Sequence, residues 1–279
     1  MVLLSACGGP TRPVPPVNAT AGAYLSPPTL VDAQRAPGGD VRLTGQAPAG
    51  AVVRLRSPEG GAVTAVAGAD GGWMLTVAPA AEPSPPRLYA FQAETKDQVL
   101  RGEGALAVLP GPGPVAMVLR PGFASVPTGH GQDGRIQLVT FDYDGEAAAA
   151  SGLAPPQSTV RLLVDGVTIG ISRADALGRF GILGVAAQKI PPGAHVVRMD
   201  TPQGLAVERP VTVAAPSLPN GQLFAAAPTS DGWSITWSLT GGGAQTSLIF
   251  DDAVAQPPPK APGPKVAGPK VAGPKVAGR

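Results

Sequence analysis

The stretches GQAPAGAVVRLRSPEGG (45–61) and GLAPPQSTVRLLVDGV (152–167) are two copies of one pattern, and their reading decides the fold. The offset of 107 residues that carries Gly45 onto Gly152 also carries Val53-Arg54-Leu55 onto Val160-Arg161-Leu162. It places Gly71 on Gly178, Trp73 on Phe180 and Pro85 on Pro192. A repeat of this kind marks two units of one architecture. Within each copy apolar residues alternate with Arg, Thr and Ser, and turn residues recur at short intervals, which is the pattern of half-buried antiparallel strands. Val53 and Leu55 are expected to point inward and Arg54 and Arg56 outward. Trp73-Leu75-Val77 and Phe180-Ile182 form matching apolar faces, so Trp73 and Phe180 are expected at the centres of two cores. No window keeps apolar residues at helical spacing for three turns without a Gly or Pro. The fold class is therefore all-β, with tandem sandwich domains of about 80 residues, the size of a small Ig-like unit.

Composition fits folded units joined by irregular chain. Gly (38) and Pro (34) are abundant among the 279 residues, yet 43% of the chain is hydrophobic and only 14% charged, enough to bury cores. The Pro and Gly cluster, and the clusters divide the chain. Residues 1–7 read as the remnant of a signal, 8–28 as a Pro-rich tether and 29–109 as the first sandwich. Residues 110–134, with LPGPGPV at 109–115, read as a linker across which the two sandwiches should unfold separately, and 135–214 as the second sandwich. Residues 215–251 read as a tryptophan-containing hairpin and 252–279 as a disordered basic tail.

The segment SGLAPPQSTVRLLVDGVTIGISRADALGRFGI, followed by IPPGAHVVRM, resembles the bacterial Ig-like repeats of envelope proteins, well over residues 135–213 and more loosely over 29–108. That resemblance implies a sandwich and carries no catalytic residues. Related units precede peptidoglycan-binding modules in some envelope proteins, but no such module is found here. At the other end, Leu4-Ser5-Ala6-Cys7 resembles the lipobox of bacterial lipoproteins. The resemblance implies that Cys7, the only cysteine, carries lipid and becomes the mature N-terminus, with the rest of the signal supplied by an upstream start codon. Gly8 and Gly9 follow it, with no Asp at the second position, which by the same resemblance implies the outer membrane, with the protein facing the periplasm.

Candidate chemistry is sparse. GHGQDG (129–134) fits G-x-G-x-x-G, but RIQLVTF after it reads as a strand where a dinucleotide site needs a helix. His130 and His195 with one cysteine do not make an ordinary zinc set, and His195 falls where Leu88 lies in the first copy, as a half-buried strand residue. Asp142, Asp144 and Glu146 alternate in FDYDGE and form a weak metal candidate whose plainer reading is a solvated strand end. No cofactor is expected, and an enzyme is not. Trp233, Ile235, Trp237 and Leu239 share one face of a strand. Trp233 and Trp237 read first as residues that close a core or pack with PVAMVLRPG (114–122), and second as an aromatic platform for glycan rings.

The tail repeats PKVAG, setting Lys260, Lys265, Lys270 and Lys275 five residues apart and ending in Arg279. Without these five cations the chain has 16 basic residues against 19 acidic, so the positive balance belongs to the tail. Regular Pro and Gly exclude a packed element there. The expected work is structural, adhesive or scaffolding, with the membrane as one partner and peptidoglycan, another anionic envelope polymer or an envelope protein as the other, and no nucleic acid.

Overall fold

In the computed structural model, residues 25–78, 84–111, 113–184, 189–219 and 221–251 are described. They contain strands and no helix. The first repeat supplies β1 (Thr29–Arg35), β2 (Val41–Gln46), β3 (Val52–Arg56), β4 (Ala62–Val66), β5 (Gly72–Val77), β6 (Arg87–Glu94) and β7 (Val99–Val108). The second supplies β10 (Gln137–Tyr143), β11 (Ala148–Leu153), β12 (Thr159–Val164), β13 (Val167–Arg173), β14 (Arg179–Leu183), β15 (Gly193–Asp200) and β16 (Ala206–Val213). Two short strands lie between them, β8 (Ala116–Leu119) and β9 (Val126–Pro127). Three follow: β17 (Phe224–Thr229), β18 (Gly232–Ser238) and β19 (Ala244–Phe250).

Each repeat folds as an Ig-like sandwich with its first, second and fifth strands on one sheet and its other four on the facing sheet. In the first, β1-β2-β5 covers β4-β3-β6-β7; in the second, β14-β11-β10 covers β13-β12-β15-β16. Leu43, Trp73 and Leu75 meet Leu55, Phe91 and Leu106 in the first core, and Phe141, Phe180 and Ile182 meet Leu162, Val197 and Met199 in the second. Trp73 and Phe180 occupy the matching central positions, each 4% exposed, with Trp73 tilted against Phe91 at 5.6 Å. The repeat is also legible in the turns. Gly71 donates to Gly68 O and Gly178 to Asp175 O, both glycines at positive φ, and Ala47 and Ala154 donate to the carbonyls of Gly71 and Gly178. The Asp165-Gly166 turn, with φ of 50° and 80°, closes the hairpin that VDGV specifies.

Gly45 and Gly152 show why the repeat keeps a glycine. Both pair across a β-bulge, Gly45 with Leu30 and Gly152 with Leu138. A Cβ at Gly152 would meet the Gln137 carbonyl and sit 2.8 Å from the Phe180 ring; one at Gly45 would meet Thr29 O and the Trp73 ring. The aromatic residue of each core packs over the glycine.

The expected linker at 110–134 is corrected by the structure, because it carries β8 and β9. These two strands extend the larger sheet of the first sandwich, giving β4-β3-β6-β7-β8-β9. The segment 215–251 holds three strands where a hairpin of two is expected, and they extend the second sandwich through β10, giving β14-β11-β10-β19-β18-β17. The two extensions face one another and enclose a third core. Leu88, Ala107, Leu109, Met117 and Leu119 from the first sandwich pack on Val139, Ile235, Trp237 and Ile249 from the second. Arg179 of β14 adds a tie, donating to Gly129 O at 3.0 Å and to Val31 O of β1. Where a Pro-Gly joint is expected, the two sandwiches share a buried interface.

Candidate functional site

A polar group buried on the seam between the sandwiches is costly unless it finds a partner. The seam answers this with one carboxylate. Thr140 and Asp142 point from β10 toward the first sandwich, on the face opposite Phe141 and Tyr143. Asp142 Oδ2 accepts from Ser125 N at 2.9 Å and from Thr140 Oγ1 at 3.1 Å. Its Oδ1 accepts from Ser125 Oγ at 2.8 Å and from Ser247 Oγ at 2.6 Å. Thr140 Oγ1 meets Ser151 Oγ at 2.7 Å, which joins β11 to the cluster. Gln245, 2% exposed, continues it: its Oε1 accepts from Gly122 N and its Nε2 donates to Arg120 O. The loop that follows β8 is thus held by side chains of β10 and β19. Burial raises the pKa of the Asp142 carboxyl, against the opposing pull of the Ser125, Ser247 and Thr140 hydrogen bonds.

That geometry corrects the reading of Asp142, Asp144 and Glu146 as a metal set, and for Asp142 also the reading as part of a solvated strand end, which Asp144 and the exposed Glu146 keep. Asp142 is 2% exposed and faces the seam, Asp144 accepts from the amides of Glu146 and Ala147 in its own turn, and Glu146 pairs with Lys189 at 3.3 Å. The three carboxylates do not converge, and no group of three or more His, Cys, Asp or Glu gathers among the described residues.

Trp237 is 7% exposed inside the third core, and Trp233 packs half-buried against the same core. Both belong to the interface with the strand of PVAMVLRPG; neither ring is an open platform. Trp237 Nε1 is buried without an acceptor. His195 lies in β15 with Nδ1 2.7 Å from Asp165 Oδ2 and Nε2 2.8 Å from Pro191 O. Its pKa is raised, chiefly by the hydrogen bond to Asp165 and then by the Pro191 carbonyl, and that of Asp165 is lowered. Arg54 and Arg161, a matched pair in the repeat, point outward and pair with carboxylates across the sheet, Arg54 with Glu94 at 3.0 Å and Arg161 with Asp200 at 2.7 Å. Cys7, Lys260, Lys265, Lys270, Lys275 and Arg279 lie outside the described residues.

The seam also leaves a cleft. The extended sheet of the second sandwich ends at β17, whereas the facing sheet continues past β6 to β3 and β4. Beyond β17 lies a space of about 500 Å³ with Leu88, Phe91, Arg101, Phe224 and Trp237 among its walls. It shares Arg56, Pro58, Ala90 and Leu223 with a neighbouring space of about 590 Å³. No residue of the cleft was singled out by the sequence as binding, except Trp237.

No family model and no curated protein matches the chain. Among solved structures it is similar to the central fibronectin-III array of RIM-binding protein, at 13% identity over 80% of this chain and 88% of that one, with a TM-score of 0.26. The tandem Ig-like, all-β architecture rests on the strand order of the two repeats.

Proposed function

We propose that this chain is a non-catalytic scaffold of the bacterial envelope, anchored at the outer membrane by lipid on Cys7, facing the periplasm, and reaching an anionic wall polymer with its basic tail. The observation that carries the scaffolding part is the third core, in which Met117 and Leu119 of one sandwich bury against Ile235 and Ile249 of the other. A spacer that holds two things apart must resist bending at its joint, and a packed apolar joint does so where a Pro-Gly hinge would not. The anchoring part is supported by Leu4-Ser5-Ala6-Cys7, and the polymer-binding part by four lysines at five-residue spacing. Each lysine contact would be weak and screened by salt, but several on one polymer add through effective concentration.

Expression from the genomic locus tests the reading. The protein is expected in the membrane fraction without detergent, and Cys7→Ser is expected to release it. Purified protein should co-sediment with peptidoglycan sacculi at low salt and lose that binding near 0.5 M salt, where the Debye length is only about 4 Å. Replacing Lys260, Lys265, Lys270 and Lys275 by Gln should do the same. Cys7→Ser protein that stays in the membrane would remove the lipid anchor. Sacculus binding that survives both salt and the lysine changes would remove the tail from the account.

A further inference from the structure

From the cleft beyond β17 we infer a docking slot for an extended acidic peptide, which joins the sheet as a strand. The inference stands apart from the lipid anchor and the tail.

In the third core an upper sheet, β10-β19-β18-β17, faces β6, β7 and β8 of a lower one, and no described strand pairs the outer edge of β17. Phe224 and Ala226 pack inward against that core, so β17 lies over the outer face of the β6 side of the lower sheet. The slot opens beside the start of β17, at Leu223 and Phe224, with Arg56 and Ala90 in its floor and Leu223, 67% exposed, at its rim. Ser238 N donates to Leu223 O, which makes Phe224 and Trp237 a non-hydrogen-bonded pair and turns the N–H and C=O of Phe224 and Ala226 away from β18, toward the edge that no described strand pairs. Pro228 stands in the same alternation, where its missing N–H breaks no bond to β18. Edge strands of folded proteins are commonly blocked by charged side chains or by Pro; FAAAPT has no charge, and Pro228 removes the outward N–H only at its far end, leaving those of Phe224 and Ala226.

The charge of the slot names the partner. Arg54 is paired with Glu94, and Glu103, the one carboxylate in the cleft wall, with Arg120; Arg56 and Arg101 line the cleft exposed and form no ion pair among the described residues, so the balance there is positive. A strand laid beside β17 would pass over Arg56, and its alternate side chains would face that floor. Carboxylates at alternate positions fit it; the cationic tail of this chain does not. A strand is favoured over a glycan because the slot offers main-chain partners while the Trp237 ring is closed into the core.

The test uses the full chain with Lys260, Lys265, Lys270 and Lys275 changed to Gln, so that the tail captures no acid. The immobilised protein is exposed to a pool of decapeptides with Glu at alternate positions and Val, Ile, Thr or Tyr between them. The controls are the same pool with Lys for Glu, the acidic pool N-methylated at alternate residues, and a uronate-containing hexasaccharide. The acidic pool should be retained and the lysine pool should not. Retention should fall about tenfold or more on N-methylation, in Ala226→Pro, which removes one outward N–H, and in Arg56→Glu/Arg101→Glu. Unchanged thermal transitions in the variants would show that they fold. No retention of the acidic pool would overturn the inference. So would retention unaffected by N-methylation and Ala226→Pro, which means charge alone, and so would retention of the saccharide in place of the peptides.

Discussion

Asp142 and His195 are two side chains whose protonation bears on the fold. Truncating Asp142 to Ala would strand Ser125 N, Ser125 Oγ and Ser247 Oγ inside the seam, with Thr140 keeping Ser151, and each buried group without a partner costs about 1–3 kcal/mol. A loss of about 3 kcal/mol or more in urea unfolding is expected; a loss under about 1 would mean that water reaches the site. Because burial raises this carboxyl, the folded chain keeps the proton to higher pH than the unfolded chain. Stability therefore falls as pH rises from about 4, the unfolded value, through the raised one. His195 has its shift in the stabilising sense. Acceptors face both ring nitrogens, and only the imidazolium donates at both. Its folded pKa is raised, so its stabilisation is complete below about pH 6.5 and disappears as pH climbs through the raised value. The gap in melting temperature between wild type and His195→Gln should narrow from about pH 6 to pH 9. A gap that does not change with pH would mean that the ring is held as a neutral tautomer. The sequence shows His195 as a strand residue, but the Asp142 cluster is hidden in it. Thr140 and Asp142 alternate as an exposed strand face does, and their partners Ser125 and Ser247 stand 17 and 105 residues from Asp142.

Strands of the two repeats are the legible part. Period-two alternation in VVRLRS and TVRLLV fixes which residues are buried, and the offset of 107 brings each glycine under its aromatic residue. Gly152→Ala should lower stability by about 1–3 kcal/mol, since its Cβ meets the Gln137 carbonyl, which is main chain, and the Phe180 ring. Gly45→Ala should match it. Gly38→Ala, with open space around the added carbon, should stay within about 0.5 kcal/mol. Equal effects at Gly38 and Gly152 would mean that the ring does not sit over the glycine. The strands outside the repeats are poorly legible for a physical reason. AMVL of β8 is buried on both faces, between the first core and the third, so it has no alternation to read, and the Pro and Gly around it look like a linker. β17, FAAAPT, has small side chains and a Pro, and its status as a strand depends on β18 beside it.

At the scale of the molecule, the third core is expected to make one folding unit of two sandwiches. Met117 is fully buried there, and Met117→Ala should cost about 2–5 kcal/mol although the residue belongs to neither repeat. The most direct measurement is calorimetric unfolding of the full chain and of Trp73→Ala, a substitution deep in the first core, far in sequence from the second. One transition is expected, with calorimetric and van't Hoff enthalpies in agreement, and Trp73→Ala should move all of it to lower temperature. Two resolved transitions in the wild type, of which Trp73→Ala moves only one, would contradict the shared core.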